Sequence, residues 1–275
     1  AARDAGLGFA GLGLRQRGVV GLEIAFVLVA AFGAGLIDAM AGGGGLVQVP
    51  ALFAAYPTAP HTTLLGTGKL AGFAGTTSAI FRFVRHVSID WKLVLPAALG
   101  AFIAALVGAW IATSIPPDRF RAMVPVLLTL VLAYTLLHKD FGLQHRPRGQ
   151  GRRGRALAAA GAGVIGLYDG FFGPGTGSFL VFLFVRGFGL DFLHASASAK
   201  IVNATTNVAA LVLFGLTGEL LWLLGLAMAV CNVAGAQLGS HLAIRRGSGF
   251  VRVVFLVVVG SLIAKTAWDA LAALP

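Results

Sequence analysis

The sequence predicts an all-α, polytopic membrane protein of two inverted repeats, and three observations carry that expectation. The first is composition. Hydrophobic residues make up 57% of the 275 positions, charged residues 11%, and the mean hydropathy is +0.88. Soluble domains carry about 25% charged residues, so this mixture cannot clothe a surface facing water. In lipid the exterior is as apolar as the interior, and the low charge is expected.

The second observation is an internal repeat. Shifted by 131 positions, the chain matches itself without a gap for about 90 residues. Gly35-Leu36-Ile37-Asp38 falls on Gly166-Leu167-Tyr168-Asp169, and Gly42 and Gly44 fall on Gly173 and Gly175. Lys69 falls on Lys200, Phe83 on Phe214, Trp91 on Trp222, Gly108 on Gly239 and Arg121 on Arg252. Charged residues and tryptophans are scarce here, so composition alone does not produce their coincidence. The third observation is a pair of glycine-rich breaks, Gly42-Gly43-Gly44-Gly45 and Gly173-Pro174-Gly175-Thr176-Gly177, at equivalent places in the two copies.

Residues 1–18, with Arg3, Arg15, Arg17 and five glycines, read as a polar tail. The first transmembrane repeat occupies 19–138, with apolar segments near 19–37, 46–56, 63–84, 91–112 and 120–138. A basic loop, 139–155, follows, and the second repeat fills 156–275, with segments near 156–168, 178–188, 194–216, 220–243 and 250–270. About 20 helical residues cross the hydrocarbon core, so the last three segments of each copy are expected to span. The second segments are too short and follow the breaks, so the first two of each copy are expected to form a broken, re-entrant pair. A leader peptide over 19–37 conflicts with its mid-chain counterpart at 156–168.

Three crossings per copy turn the second copy over. Lys139, Arg146, Arg148, Arg152, Arg153 and Arg155 mark 139–155 as cytoplasmic. Counting outward puts the 82–92 loop inside, with Arg82, Arg85 and Lys92, and its counterpart 213–223 outside, with Glu219 and no basic residue. The 113–121 loop is the exception: it is placed outside yet carries Arg119 and Arg121. The net charge of +11 is thus a property of loops at a lipid bilayer and does not point to nucleic acid. Cys231 stands alone and the six histidines have no ligand spacing, so neither a disulfide, a metal site nor another cofactor is expected.

Four ionisable residues flank the glycine breaks and match across the copies: Asp38 and Lys69, Asp169 and Lys200. Each costs about 2.5–3.5 kcal/mol at a helix centre unless something compensates it. Two Asp–Lys ties are one compensation. A ligand is the other, and the breaks favour it. A helix starting near Leu46 or Ser178 presents unpaired N–H groups and a partial positive charge. Glycine lets an anion approach such an end closely, and broken helices meeting at mid-membrane are a recurring transporter device.

The candidate substrate site therefore comprises Lys69, Lys200, Gly43, Gly44, Gly45, Gly175, Thr176, Gly177 and Ser178. Asn203 and Asn207 join it, because Lys200, Asn203 and Asn207 share a helix face. Gly72 and Thr76 hold the equivalent face of the first copy. Asp38 and Asp169, near the ends of their helices, are candidates for charge pairing or proton coupling. The expectation is an alternating-access carrier of small anions, with a passive anion channel as the alternative. No enzyme is expected: Gly66-Thr67-Gly68-Lys69-Leu70 lacks the glycine, the Ser/Thr and the strand of a phosphate loop.

The motif Tyr168-Asp169-Gly170-Phe171-Phe172-Gly173-Pro174-Gly175-Thr176-Gly177-Ser178-Phe179, followed by Ala199-Lys200 and Asn203, resembles the TauE/SafE (TSUP) family of membrane permeases. The first copy adds Gly42-Gly43-Gly44-Gly45, Pro50 and Gly68-Lys69-Leu70, with Gly68 departing from the expected Asn. The resemblance implies a multi-pass carrier of the bacterial inner membrane, a homodimer, and a small sulfur-containing anion (sulfite, a sulfonate or sulfoacetate) as substrate.

Overall fold

The computed structural model describes residues 14–136, 147, 151–217 and 220–272. The tail 1–13, Glu219 and most of the basic loop, with Lys139, Arg146 and Arg148, lie outside the described residues. All regular structure among the described residues is helical. The first copy contains α1 (Leu14–Ala41), α2 (Gly45–Ala55), α3 (His61–Val84), α4 (Trp91–Thr113) and α5 (Pro117–Leu136). The second contains α6 (Arg152–Phe171), α7 (Thr176–Phe182, continued by one π-turn over Leu183–Gly187), α8 (Phe192–Leu216) and α9 (Trp222–Ala272). Arg152, Arg153 and Arg155, expected in the loop, fall in the first turn of α6. Within α9, Gly247 takes φ 71° and ψ −170°, so two helical arms meet there at a break.

Among the described residues, four stretches are long and apolar enough to cross a bilayer: Gly21–Ala41, Trp91–Thr113, Phe192–Leu216 and Trp222–Gly247. Much of the expected spans 120–138 and 250–270 lies outside the residues whose side chains are described. Elsewhere the expected set differs in two respects. The first helix is not a short limb: α1 has 28 residues and contributes a spanning stretch. Conversely, α3 has 24 residues but is diluted by Thr67, Lys69, Thr76 and other polar side chains that it buries inside the protein. The two short helices match their expected places, α2 over Gly45–Ala55 and the α7 region over Thr176–Gly187.

The copies interlock. α1 of the first packs chiefly along α9 of the second, and α6 of the second along α4 of the first. Both seams are made by glycines that let backbones touch, the usual device where helices gain no hydrophobic drive from lipid. A Cβ on Gly35 would collide with the backbone of Asn232, and one on Gly166 with that of Ala101. Likewise a Cβ on Gly239 would strike the Leu36 carbonyl, and one on Gly108 the Leu167 carbonyl. These are equivalent contacts, displaced by the repeat interval. α3 and α8 pack together at the centre and carry Lys69 and Lys200. Outward-facing Leu22, Phe26, Val29, Leu99, Ile103, Leu223 and Val230 are exposed, as lipid-facing residues are.

Candidate functional site

Each glycine break stops one helix and starts another. Gly42 (φ 77°), Gly173 (φ 96°) and Gly175 (φ 87°) adopt the left-handed conformation that only glycine enters without strain. Gly42 ends α1 with its N–H on the Asp38 carbonyl at 3.0 Å. Gly175 is the N-cap of α7, and the Tyr168 hydroxyl donates to the Pro174 carbonyl at 2.6 Å, holding the turn against α6.

The two breaks lie against each other. A Cβ on Gly42 would come within 2.5 Å of the Gly177 carbonyl carbon, and one on Gly45 within 3.2 Å of Pro174 Cα. Ser178 Oγ crosses the junction to donate to the Gly42 carbonyl at 3.0 Å. The starts of α2 and α7, from opposite copies, therefore converge.

The four buried ionisable groups also cross between copies, but not as two equal pairs. Lys69 Nζ lies 2.7 Å from Asp169 Oδ2, an ion pair in which the aspartate is almost fully buried. Lys200 Nζ instead donates to the main-chain carbonyl of Asp38 at 2.9 Å and to Ser196 Oγ at 2.8 Å, 5.1 Å from the Phe83 ring centre. It thus sits at the C-terminal turn of α1, where a cation is favoured by the helix dipole. The Asp38 carboxylate accepts from Thr76 Oγ1 at 3.2 Å.

A cavity lies at this junction, with about 60 Å³ open to the centres of water-sized molecules. Roughly 10–15 Å³ on that measure holds one water, so it admits a few waters or a compact ion. Of the expected substrate residues, Lys69, Gly44, Gly45, Gly175, Thr176, Gly177, Asn203 and Asn207 line it, as do Asp38 and Asp169. Gly43, Ser178 and Lys200 do not: Ser178 and Lys200 face away, spent on Gly42 and on the end of α1. Gly72 and Thr76, the small face opposite, complete the wall.

Asn203 and Asn207 are buried on α8, and no protein group among the described residues hydrogen-bonds their carboxamides. Buried carboxamides are normally paired, so four N–H donors facing a cavity are poised for something that enters it. Lys69 and Asp169 neutralise each other, and Lys200 lies behind Asp38. The formal charges around the cavity thus balance, and the selective features left are neutral donors and two helix starts.

Sequence reasoning missed two lining residues with polar side chains. Asn232 of α9 donates to Gln48 Oε1 at 2.9 Å, and Gln48 of α2 donates to the Gly68 carbonyl at 2.7 Å. The Asn232 side chain fits because Gly35 and Gly75 leave room for it. The available signal was a side-chain amide within each apolar run. Their counterparts, Phe179 and Ala101, are apolar, so matching the copies passes over them. Arg121, the exception in the loop charges, donates to the Ala59 carbonyl and stacks 5.4 Å from the Phe53 ring, where it holds the α2–α3 turn.

Comparison with known proteins adds an independent line. The family model described as "Sulfite exporter TauE/SafE" matches residues 27–266. A "Probable membrane transporter protein ORF9" from Sinorhizobium is 37% identical over 239 residues, 86% of this chain and 88% of that protein. The "Probable membrane transporter protein YfcA" of Escherichia coli K12 is 36% identical over 86% of each chain. A "Probable membrane transporter protein" of Haemophilus influenzae is 32% identical over 91% of this chain and 97% of its own. No solved structure gives a significant match.

Proposed function

The chain belongs to the TauE/SafE family of membrane transporters, and from that premise we propose that it is a secondary carrier of a small sulfur-containing anion in a bacterial inner membrane. The observation that carries the anion is the unpaired carboxamide set of Asn203 and Asn207, set beside the converging starts of α2 and α7. Amide N–H groups and helix N-termini donate, and both prefer a negative guest. The sulfur rests on the family, whose model is described as a sulfite exporter.

The repeat is inverted, and the carrier works by alternating access. Reciprocal packing of α1 on α9 and α6 on α4 supports this, because each copy can rock against the other around a fixed centre. The opposite charge of the 82–92 and 213–223 loops supports the inversion. The two aspartates divide the electrostatic work. Asp169 is committed to Lys69, whereas Asp38 faces the cavity with only Thr76 on its carboxylate. Asp38 is therefore the residue assigned to coupling anion entry to a proton, and Lys69 with Asp169 forms the neighbouring charge pair.

The test is thermal unfolding of the purified protein with sulfite, sulfoacetate, taurine, sulfate, acetate or chloride. A ligand at 100 times its dissociation constant stabilises the folded state by about 2.7 kcal/mol. Sulfite or a sulfonate should raise the melting temperature of the wild type and not that of Asn207→Ala. Absence of any anion effect on the wild type would sink the site. Counterflow in proteoliposomes separates carrier from channel, since a channel does not exchange.

A further inference from the structure

The basic end of α3 is tied to the first arm of α9 at a place separate from the central cavity. Arg82 donates from Nε and Nη2 to Gln237 Oε1 at 3.1 and 2.6 Å, and from Nη1 to His241 Nδ1 at 3.2 Å. Gln237 is fixed in turn, its amide donating to the Ser78 carbonyl at 3.1 Å. The guanidinium is therefore clamped between two helices by neutral acceptors. Among the described residues no carboxylate lies within ion-pair distance of it.

Donor bookkeeping shows what is left over. A guanidinium has five N–H groups, and three are engaged here, leaving one on each terminal nitrogen. Arginine can only donate, so His241 Nδ1 must accept, which puts the imidazole proton on Nε2 as a further donor. A fixed positive charge with three spare donors matches the oxygens of a phosphate.

Depth and surroundings name the source. Arg82 is 13 residues from cavity-lining Lys69 on the same helix, about 20 Å at 1.5 Å per residue. The hydrocarbon half-thickness is about 15 Å, so Arg82 stands at headgroup level. Phe81, Val84 and Leu238 around it are exposed apolar residues, as at a lipid-facing surface. Arg85 and Arg245 lie exposed at the same helix ends. In the other copy the equivalents of Arg82, Gln237 and His241 are Leu213, Leu106 and Trp110. The repeat thus tolerates a wholly apolar trio here, and packing alone does not call for the polar one.

We propose that the surface where the basic end of α3 meets the first arm of α9 binds the headgroup phosphate of an anionic phospholipid, held by Arg82 with His241 beside it. The acyl chains run down the lipid face past Phe81 and Leu238.

The test is thermal unfolding and native mass spectrometry of the full chain in neutral detergent, titrated with phosphatidylglycerol, phosphatidylcholine or inorganic phosphate. Phosphatidylglycerol should bind and stabilise the wild type at lower concentration than phosphatidylcholine, and inorganic phosphate should have no effect. Arg82→Gln should weaken phosphatidylglycerol binding about tenfold, the scale of a lost hydrogen bond to a charged group. His241→Phe should weaken it less, which keeps the test open if Arg82→Gln folds poorly. Arg119→Gln, which removes the same charge at the opposite helix end, should leave it unchanged. Equal binding of both lipids, an equal effect of inorganic phosphate, or equal loss in Arg119→Gln overturns the proposal.

Discussion

Lys69 and Asp169 lie 2.7 Å apart with little access to water. Deleting one partner of such a pair strands a buried charge and costs about 3–5 kcal/mol. Lys69→Met and Asp169→Asn should therefore each lower thermal stability markedly, and the double variant should recover much of the loss, as a double-mutant cycle would measure. Asp38→Asn should be milder in stability, since its carboxylate has only a hydroxyl donor, but should abolish dependence of transport on the pH gradient in proteoliposomes. At this scale the sequence singled out the buried charges better than it showed what they touch. Charges that flank the breaks and match across the copies marked all four residues. Lys200's choice of the Asp38 carbonyl over its carboxylate depends on side-chain reach, which spacing does not encode. Gln48 and Asn232 escaped because comparing copies finds what they share, and these residues occur in one copy only.

Among elements, the glycine seams set what can be changed. Gly108 and Gly239 touch the carbonyls of Leu167 and Leu36 in equivalent seams. Valine at either should force the helices apart, costing about 1–3 kcal/mol or more, by similar amounts at the two sites in thermal unfolding. Gly33 has open space around it, so Gly33→Val should stay within about 0.5 kcal/mol of the wild type. The short helices were legible because glycine clusters are strong stop signals. The limits of α1 and α3 were harder to read. Helix α1 runs through residues whose polarity suggested a tail, and α3 carries inward polar residues that lower its hydropathy without shortening it.

For the whole molecule, the interlock of the copies has a consequence for folding. The first helix of each copy finds its main partner in the other, α1 on α9 and α6 on α4. Neither half should be stable alone. Co-expression of 1–147 with 148–275 should restore a complex that purifies together, while each half by itself should be degraded or aggregate. Free survival of one half would contradict this. The doubling was visible in the sequence, because scarce residues coincide at one interval. The cross-partnering was not, since a repeat states that two units are alike and not which surfaces they exchange.

The abutment at Gly42 and Gly177 has a further effect. It presses two like poles together in a medium that screens them poorly. Their electrostatic self-repulsion is held in check by backbone contact and the Ser178 latch. If the junction takes the anion proposed above, that guest would act as mortar between the two halves while aboard, and its release would bias them to part.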